Sequence, residues 1–241
     1  MMERRSRYVE VTLYCAELNK TMTATLLDTT IERLTEADRS LLPLTRMTMA
    51  GKLADAGSDG PALASLLEGY AKPPASVTGL LLLLEGGFIV TMEGSAGEIL
   101  PMLRAMNVEL GSGMLATCKV IAAQEDVRKR YFPSWSSTKM SVVRSNYAEI
   151  DGEAQLTQLL ADTCIAMMKV GKYLSTSGGD AASLSKWESL GLDMPSNERI
   201  AQLLELTEPT PLATFMQIYE TPVDVVMESE RVWPPPVPQP Y

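Results

Sequence analysis

Between Val77 and Met92 the chain specifies a β-hairpin, and this stretch limits the fold more than any other. Val77 to Leu84 is a near-continuous apolar run, too short for a typical helix. Such a run reads as a strand buried on both faces, hence central in its sheet. Glu85-Gly86-Gly87 supplies a tight turn, and Phe88 to Met92 returns as the second strand.

The flanking segments extend this pattern. Leu44 to Leu53 is apolar and rich in Met and Thr, and its start reads as a strand. A Gly/Asp/Ser loop follows over Asp55 to Gly60, with Asp59 as the expected N-cap and Pro61 in the first helical turn. Leu63, Leu66, Leu67 and Tyr70 fall on one helical face, and Lys72-Pro73-Pro74 ends that helix. After Gly94-Ser95 a second helix carries Ile99, Leu103 and Met106 and is expected to end near Asn107. Gly111 to Gly113 reads as a loop and Met114 to Ala123 as a strand. Gln124 to Arg130 reads as a charged connection, and Lys139 to Val143 as the last strand. The order is β-α-β-β-α-β-β. Its first six elements define an α+β, ferredoxin-like fold: a mainly antiparallel sheet with two helices on one face.

Extensions flank this domain, giving expected boundaries of 1–41, 42–145, 146–228 and 229–241. In the head, Val9, Val11, Leu13 and Cys15 alternate with polar or aromatic residues, the period of a half-buried strand. Leu26, Leu27, Ile31 and Leu34 then form a helical stripe. The tail predicts helices over Glu153–Leu174, Ser183–Leu190, Asn197–Leu206 and Leu212–Tyr219. Trp233-Pro234-Pro235-Pro236-Val237-Pro238-Gln239-Pro240-Tyr241 must be extended, because consecutive prolines continue neither helix nor central strand.

Composition excludes several functions. The chain has no histidine, which removes Ser-His-Asp and Cys-His catalysis and every His-ligated metal. Twenty-one Lys and Arg against 30 Asp and Glu give a net charge of −9, which argues against a nucleic-acid binder held by phosphate contacts. Cys15, Cys118 and Cys164 lack metal-site spacing and read as buried thiols of a reducing compartment. The basic N-terminus is followed by no apolar signal segment. The longest apolar run falls far short of the roughly 20 residues that span a bilayer. The expected location is therefore the cytoplasm or an assembly within it.

The string from Val77 to Gly94, with Thr78-Gly79, the glycine turn, Phe88 and Glu93-Gly94, resembles the central hairpin of BLUF domains, the flavin-binding blue-light sensors. Phe132-Pro133-Ser134-Trp135 with Met140 is similar to that family's F-P-x-W-x-M segment, here with the Met displaced. The resemblance covers about Leu42 to Val143. It implies a flavin site that uses a first-strand Tyr, a hairpin Gln and an Asn-containing stretch before Thr-Gly. Here the first strand is Leu44-Thr45-Arg46-Met47-Thr48-Met49, the Gln position is Val90, and Lys72-Pro73-Pro74-Ala75-Ser76 replaces the Asn stretch. Valine has no group to exchange hydrogen bonds with a flavin carbonyl. The sequence thus reads as a degenerate BLUF-like scaffold with no cofactor and no enzymatic activity.

Among eukaryotic proteins with such a domain, the layout resembles a BLUF-like protein of motile cilia and sperm. That resemblance implies a structural subunit of the cilium or flagellum axoneme, part of the cytoskeleton, with the central apparatus as its place. The partners would be other protein subunits, with neither nucleic acid nor membrane among them. The alternative is a sensor that still holds a flavin or another small molecule between the two helices and regulates a partner.

The candidate partner-binding residues are Arg128, Lys129 and Arg130, a lone basic cluster, and Trp233, Pro234, Pro235, Pro236 and Tyr241 of the terminus. The terminus admits three readings: an SH3-type ligand, a free tail, or a strap on a neighbouring subunit anchored by its two aromatics. Ser136–Lys139 and Ser183–Lys186 fit S-x-x-K but lack the companion elements of serine acyl-transferases. Gly94-Ser95-Ala96-Gly97 lacks the Lys and glycine spacing of a phosphate loop and reads as an ordinary helix start. Cys164 to Leu174 reads as a core-packing helix.

Overall fold

The structure, a computed structural model, describes residues 43–55, 57–72, 77–140, 153–178, 184, 187 and 189–221. The expected head elements, residues 141–143 of the expected last strand, and the proline-rich terminus lie outside the described residues. By contacts the chain divides into Met1–Pro43 and Leu44–Tyr241, and the elements below belong to the second unit.

In chain order these are β1 (Leu44–Leu53), α1 (Asp59–Ala71), β2 (Thr78–Leu83), β3 (Gly87–Gly94) and α2 (Ala96–Ser112). There follow β4 (Leu115–Val127), β5 (Trp135–Lys139), α3 (Glu153–Thr176), α4 (Asn197–Glu205), β6 (Thr210–Pro211) and α5 (Leu212–Glu220). The sheet order is β5-β2-β3-β1-β4-β6. The four strands β2-β3-β1-β4 are antiparallel throughout, with α1 and α2 as crossovers, which is the ferredoxin-like arrangement. β5 adds to β2 in parallel, and β6 pairs with β4 at Lys119 and Val120.

Strand alternation sends side chains to two different cores. On one face Met47 and Met49 of β1, Leu81 and Leu83 of β2, and Phe88, Val90 and Met92 of β3 meet Leu63 and Leu67 of α1 and Ile99, Met102, Leu103 and Met106 of α2. On the other, Ala50, Leu80, Leu82 and Ile89 meet Met167, Val170 and Leu174 of α3, with Ile200 of α4. β2 is therefore apolar on both faces and β3 buried on both because helices cover both, and the tail helices form the second layer.

Several boundaries differ from the sequence reading, each for a local reason. α1 begins at Asp59 rather than after it. The Asp59 carboxylate accepts from the Asp55 N–H at 2.6 Å instead of capping its own helix. α2 runs on to Ser112, and Gly113, at φ 94°, closes it by donating its N–H to the Glu109 carbonyl. At the start of α2, the Glu98 carboxylate accepts from the Ser95 N–H at 3.1 Å.

β4 continues through the charged stretch to Val127. Its register against β1 slips between Leu44 and Arg46, and Asp126 takes up the irregularity at φ 54°. The last strand starts at Trp135, not Lys139. Ser136, Ser137 and Thr138 carry little strand signal of their own, but β2 offers an apolar edge, and Gly79 pairs with Trp135. Gly79 admits this approach because a Cβ there would lie 2.2 Å from the Thr91 carbonyl and 3.0 Å from the Trp135 ring.

Candidate functional site

Three places in the described structure concentrate chemistry or surface. The first is the floor between α1 and α2, where the sequence resemblance places a flavin. Val90 stands at its centre on β3, paired with Met49 and Leu81 and fully buried. Leu63, Leu67, Met102 and Met106 close over it, all at 0% exposure, in one continuous apolar cluster. The side chains facing one another here are aliphatic or thioether groups, and burial pushes the nearby Cys118 thiol up to about 12.

The second lies on the opposite face of the same strands. Arg46 and Glu93 are directly opposed across β1 and β3, and Arg46 Nε meets Glu93 Oε1 at 2.6 Å with both side chains under 10% exposed. A buried charge survives only when fully partnered. The Glu93 carboxylate also accepts the Tyr131 N–H at 2.9 Å and the Phe132 N–H at 3.1 Å. Arg46 donates to the Lys129 carbonyl at 2.9 Å and to Gln124 Oε1 at 3.2 Å, and its guanidinium lies 4.3 Å from the Tyr131 ring centroid. One rung along, the Thr48 and Thr91 hydroxyls share a hydrogen bond of 3.0 Å.

This pair organises the basic run singled out from the sequence. Arg128 and Lys129 are exposed. Arg130 is half-buried, donating to Thr78 Oγ1 at 3.0 Å and to the Glu93 carbonyl at 2.7 Å. The three residues therefore do not present a single basic surface: Arg130 helps fasten the loop to the hairpin. Trp233, Pro234, Pro235, Pro236 and Tyr241 lie outside the described residues. The Arg46–Glu93 centre was missed in the sequence reading. Its signal was present, since Arg46 with Thr48 and Thr91 with Glu93 are polar pairs in phase on one face of two apolar-rich strands.

The third place is peripheral. A recess of about 390 Å³ opens between the end of α1 and β5, lined by Glu68, Ala71, Lys72, Trp135, Ser136 and Ser137. Trp135 Nε1 is buried without a hydrogen-bond partner. Lys72 forms an exposed ion pair with Glu68 at 3.2 Å, a contact of small energetic weight. No group of three or more metal-ligating residues occurs among the described residues, and no described helix is long and apolar enough to cross a membrane.

Connectivity, strand order and the helix pair define an α+β protein of ferredoxin-like type, here with a second helical layer. Residues 62–221 match the testis-expressed protein 47 family, and the chain belongs to it. Among solved structures, a BLUF domain described as BlrP1 BLUF shares 13% identity over 67% of this chain and 86% of its own, with a TM-score of 0.34. A bacterial light-regulated adenylyl cyclase shares 17% identity over 54% of this chain, with a TM-score of 0.32. This chain covers 38% of that cyclase.

Proposed function

We propose that this chain is a non-catalytic structural subunit of a motile-cilium axonemal assembly, placed in the central apparatus, built on a BLUF-like domain that no longer holds a flavin. The observation that carries the reading is the packing around Val90. The residues between α1 and α2 do not fit a flavin ring, because fully buried aliphatic and thioether side chains fill the ground the ring would need. A valine at that centre offers a carbonyl neither donor nor acceptor. What remains is a sheet stiffened by two cores and a buried ion pair, a design suited to bearing contacts rather than to switching. Membership of a testis-expressed family supports a role in the sperm flagellum.

Two measurements test this. Purified with excess flavin, the protein is expected to stay colourless; a stoichiometric visible band that red-shifts in blue light overturns the reading. In fractionated sperm flagella it is expected in salt-resistant axonemes and absent from the detergent-soluble pool.

The recess beside Trp135 favours one second reading, a small-molecule sensor. Its buried, unpartnered indole N–H is a donor waiting for an acceptor. Native mass spectrometry of protein purified from its own tissue would detect a bound ligand, and a Trp135→Phe variant would lose it.

A further inference from the structure

The groove between α2 and α5 carries features that the scaffold reading does not use. Phe215 and Tyr219 stack at 4.3 Å between ring centroids, with planes 25° apart. Tyr219 is 58% exposed and Ile218 beside it 64%. Next to the rings a hole of about 60 Å³ reaches down to Leu100, Leu103 and Met47, with the Glu125 carboxylate on its rim. Arg104 of α2 pairs with Glu220 of α5, bridging the two helices that form the groove. Here the ring of half-buried Phe215 supports the exposed ring of Tyr219, and aromatic-lined grooves of this kind are the means by which proteins seat polyproline II helices.

The chain itself contains the matching ligand. Twenty residues follow Thr221, and they include Pro235-Pro236-Val237-Pro238, a P-x-x-P arrangement, preceded by Arg231. Arg231 stands among Asp224, Glu228 and Glu230, so charge does not direct this segment to the groove; the run Val232–Tyr241 that follows is uncharged in its side chains and suits an apolar slot. The tether is the right length. Pro235 lies 14 residues beyond Thr221, a length of chain that reaches at most roughly 45 Å, while nine-residue α5 is only about 13 Å long. A tether of this kind holds its ligand at an effective concentration in the millimolar range.

We propose that the α2–α5 groove is a docking site for a proline-rich segment, and that its occupant is this chain's own Pro234–Pro240. The arrangement is independent of any axonemal placement.

The test uses the full chain carrying benzoylphenylalanine at position 218, irradiated at dilution and digested with trypsin. Cleavage after Arg231 releases Val232–Tyr241. The expected product is that peptide crosslinked to α5 of the same molecule. Tyr219→Ala, at an exposed position, and the pair Pro235→Ala with Pro238→Ala should each lower its yield about fivefold or more, with circular dichroism unchanged. A crosslink to a second copy, a crosslink that bypasses the tail, or a yield indifferent to these variants overturns the proposal.

Discussion

The ring of Phe132 approaches Gly171 so closely that a Cβ there would lie 2.9 Å from Cζ and 3.0 Å from both Cε atoms. Phe132 belongs to the Phe-Pro-Ser-Trp segment ahead of β5, and Gly171 to α3, so this contact joins the first layer of the fold to the second. The ring is 1% exposed and has no open direction in which to retreat. Gly171→Val should therefore destabilise the protein by about 2 kcal/mol through overpacking. Urea denaturation checks this, and Phe132→Leu in the same chain should recover part of the loss. An additive double mutant would show that the two residues do not meet as described.

The buried pair makes an asymmetric prediction. Glu93 serves Arg46 and two backbone N–H groups, whereas Arg46 has other acceptors in Lys129 and Gln124. Removing one partner of a buried pair costs about 3–5 kcal/mol. Glu93→Leu should reach the upper end of that range and Arg46→Met the lower. Equal losses in chemical denaturation would contradict the proposed division of labour.

Thiol labelling gives a third check. Burial places the Cys118 thiol at about 12, and burial also raises Cys164, which is less enclosed. At pH 8 the folded protein should resist alkylation at Cys118 until it unfolds, while Cys164 reacts sooner; peptide mapping separates them. The sign of the pH effect follows. A folded-state value above the unfolded one stabilises fully below pH 9, and that contribution falls away as pH rises towards 12. Cys118→Ala should flatten the stability curve in that alkaline window.

At the acid end the opposite sign applies to Asp55. Its exposed carboxylate accepts the Gly57 N–H and the Ser58 hydroxyl, both at 2.9 Å, and these bonds hold it below its usual 3.8. The turn before α1 should therefore keep its order above that value and loosen as pH falls through the lowered one. A carboxylate-detected NMR titration of Asp55 with a midpoint at or above 3.8 would refute this.

The hairpin and the helix pair were legible because each rests on periodicity and turn chemistry contained within some 20 residues. Val77–Met92 declares two strands by itself, and Leu63–Tyr70 a helical face. What stayed hidden depends on contacts between distant segments. β5 is strand only because β2 lies beside it, and its own Ser136-Ser137-Thr138 says nearly nothing. The continuation of β4 through Gln124–Val127 rests on pairing with β1 about 80 residues earlier. Of the candidate site, the apolar character of Val90 and its neighbours was readable from the hairpin itself. The inward turn of Arg130 was not, because it follows from Glu93, 37 residues away in sequence.

The two-sided burial of β2 and β3 has a consequence for synthesis. When the ribosome has made the chain as far as Met140, α1 and α2 are available to cover one face, but Leu80, Leu82 and Ile89 still await α3 and α4. For the time needed to add some 60 further residues, a nascent chain must carry a bare aliphatic surface. That interval is a window for chaperone capture, and an early stop codon between Met140 and α3 would make it permanent.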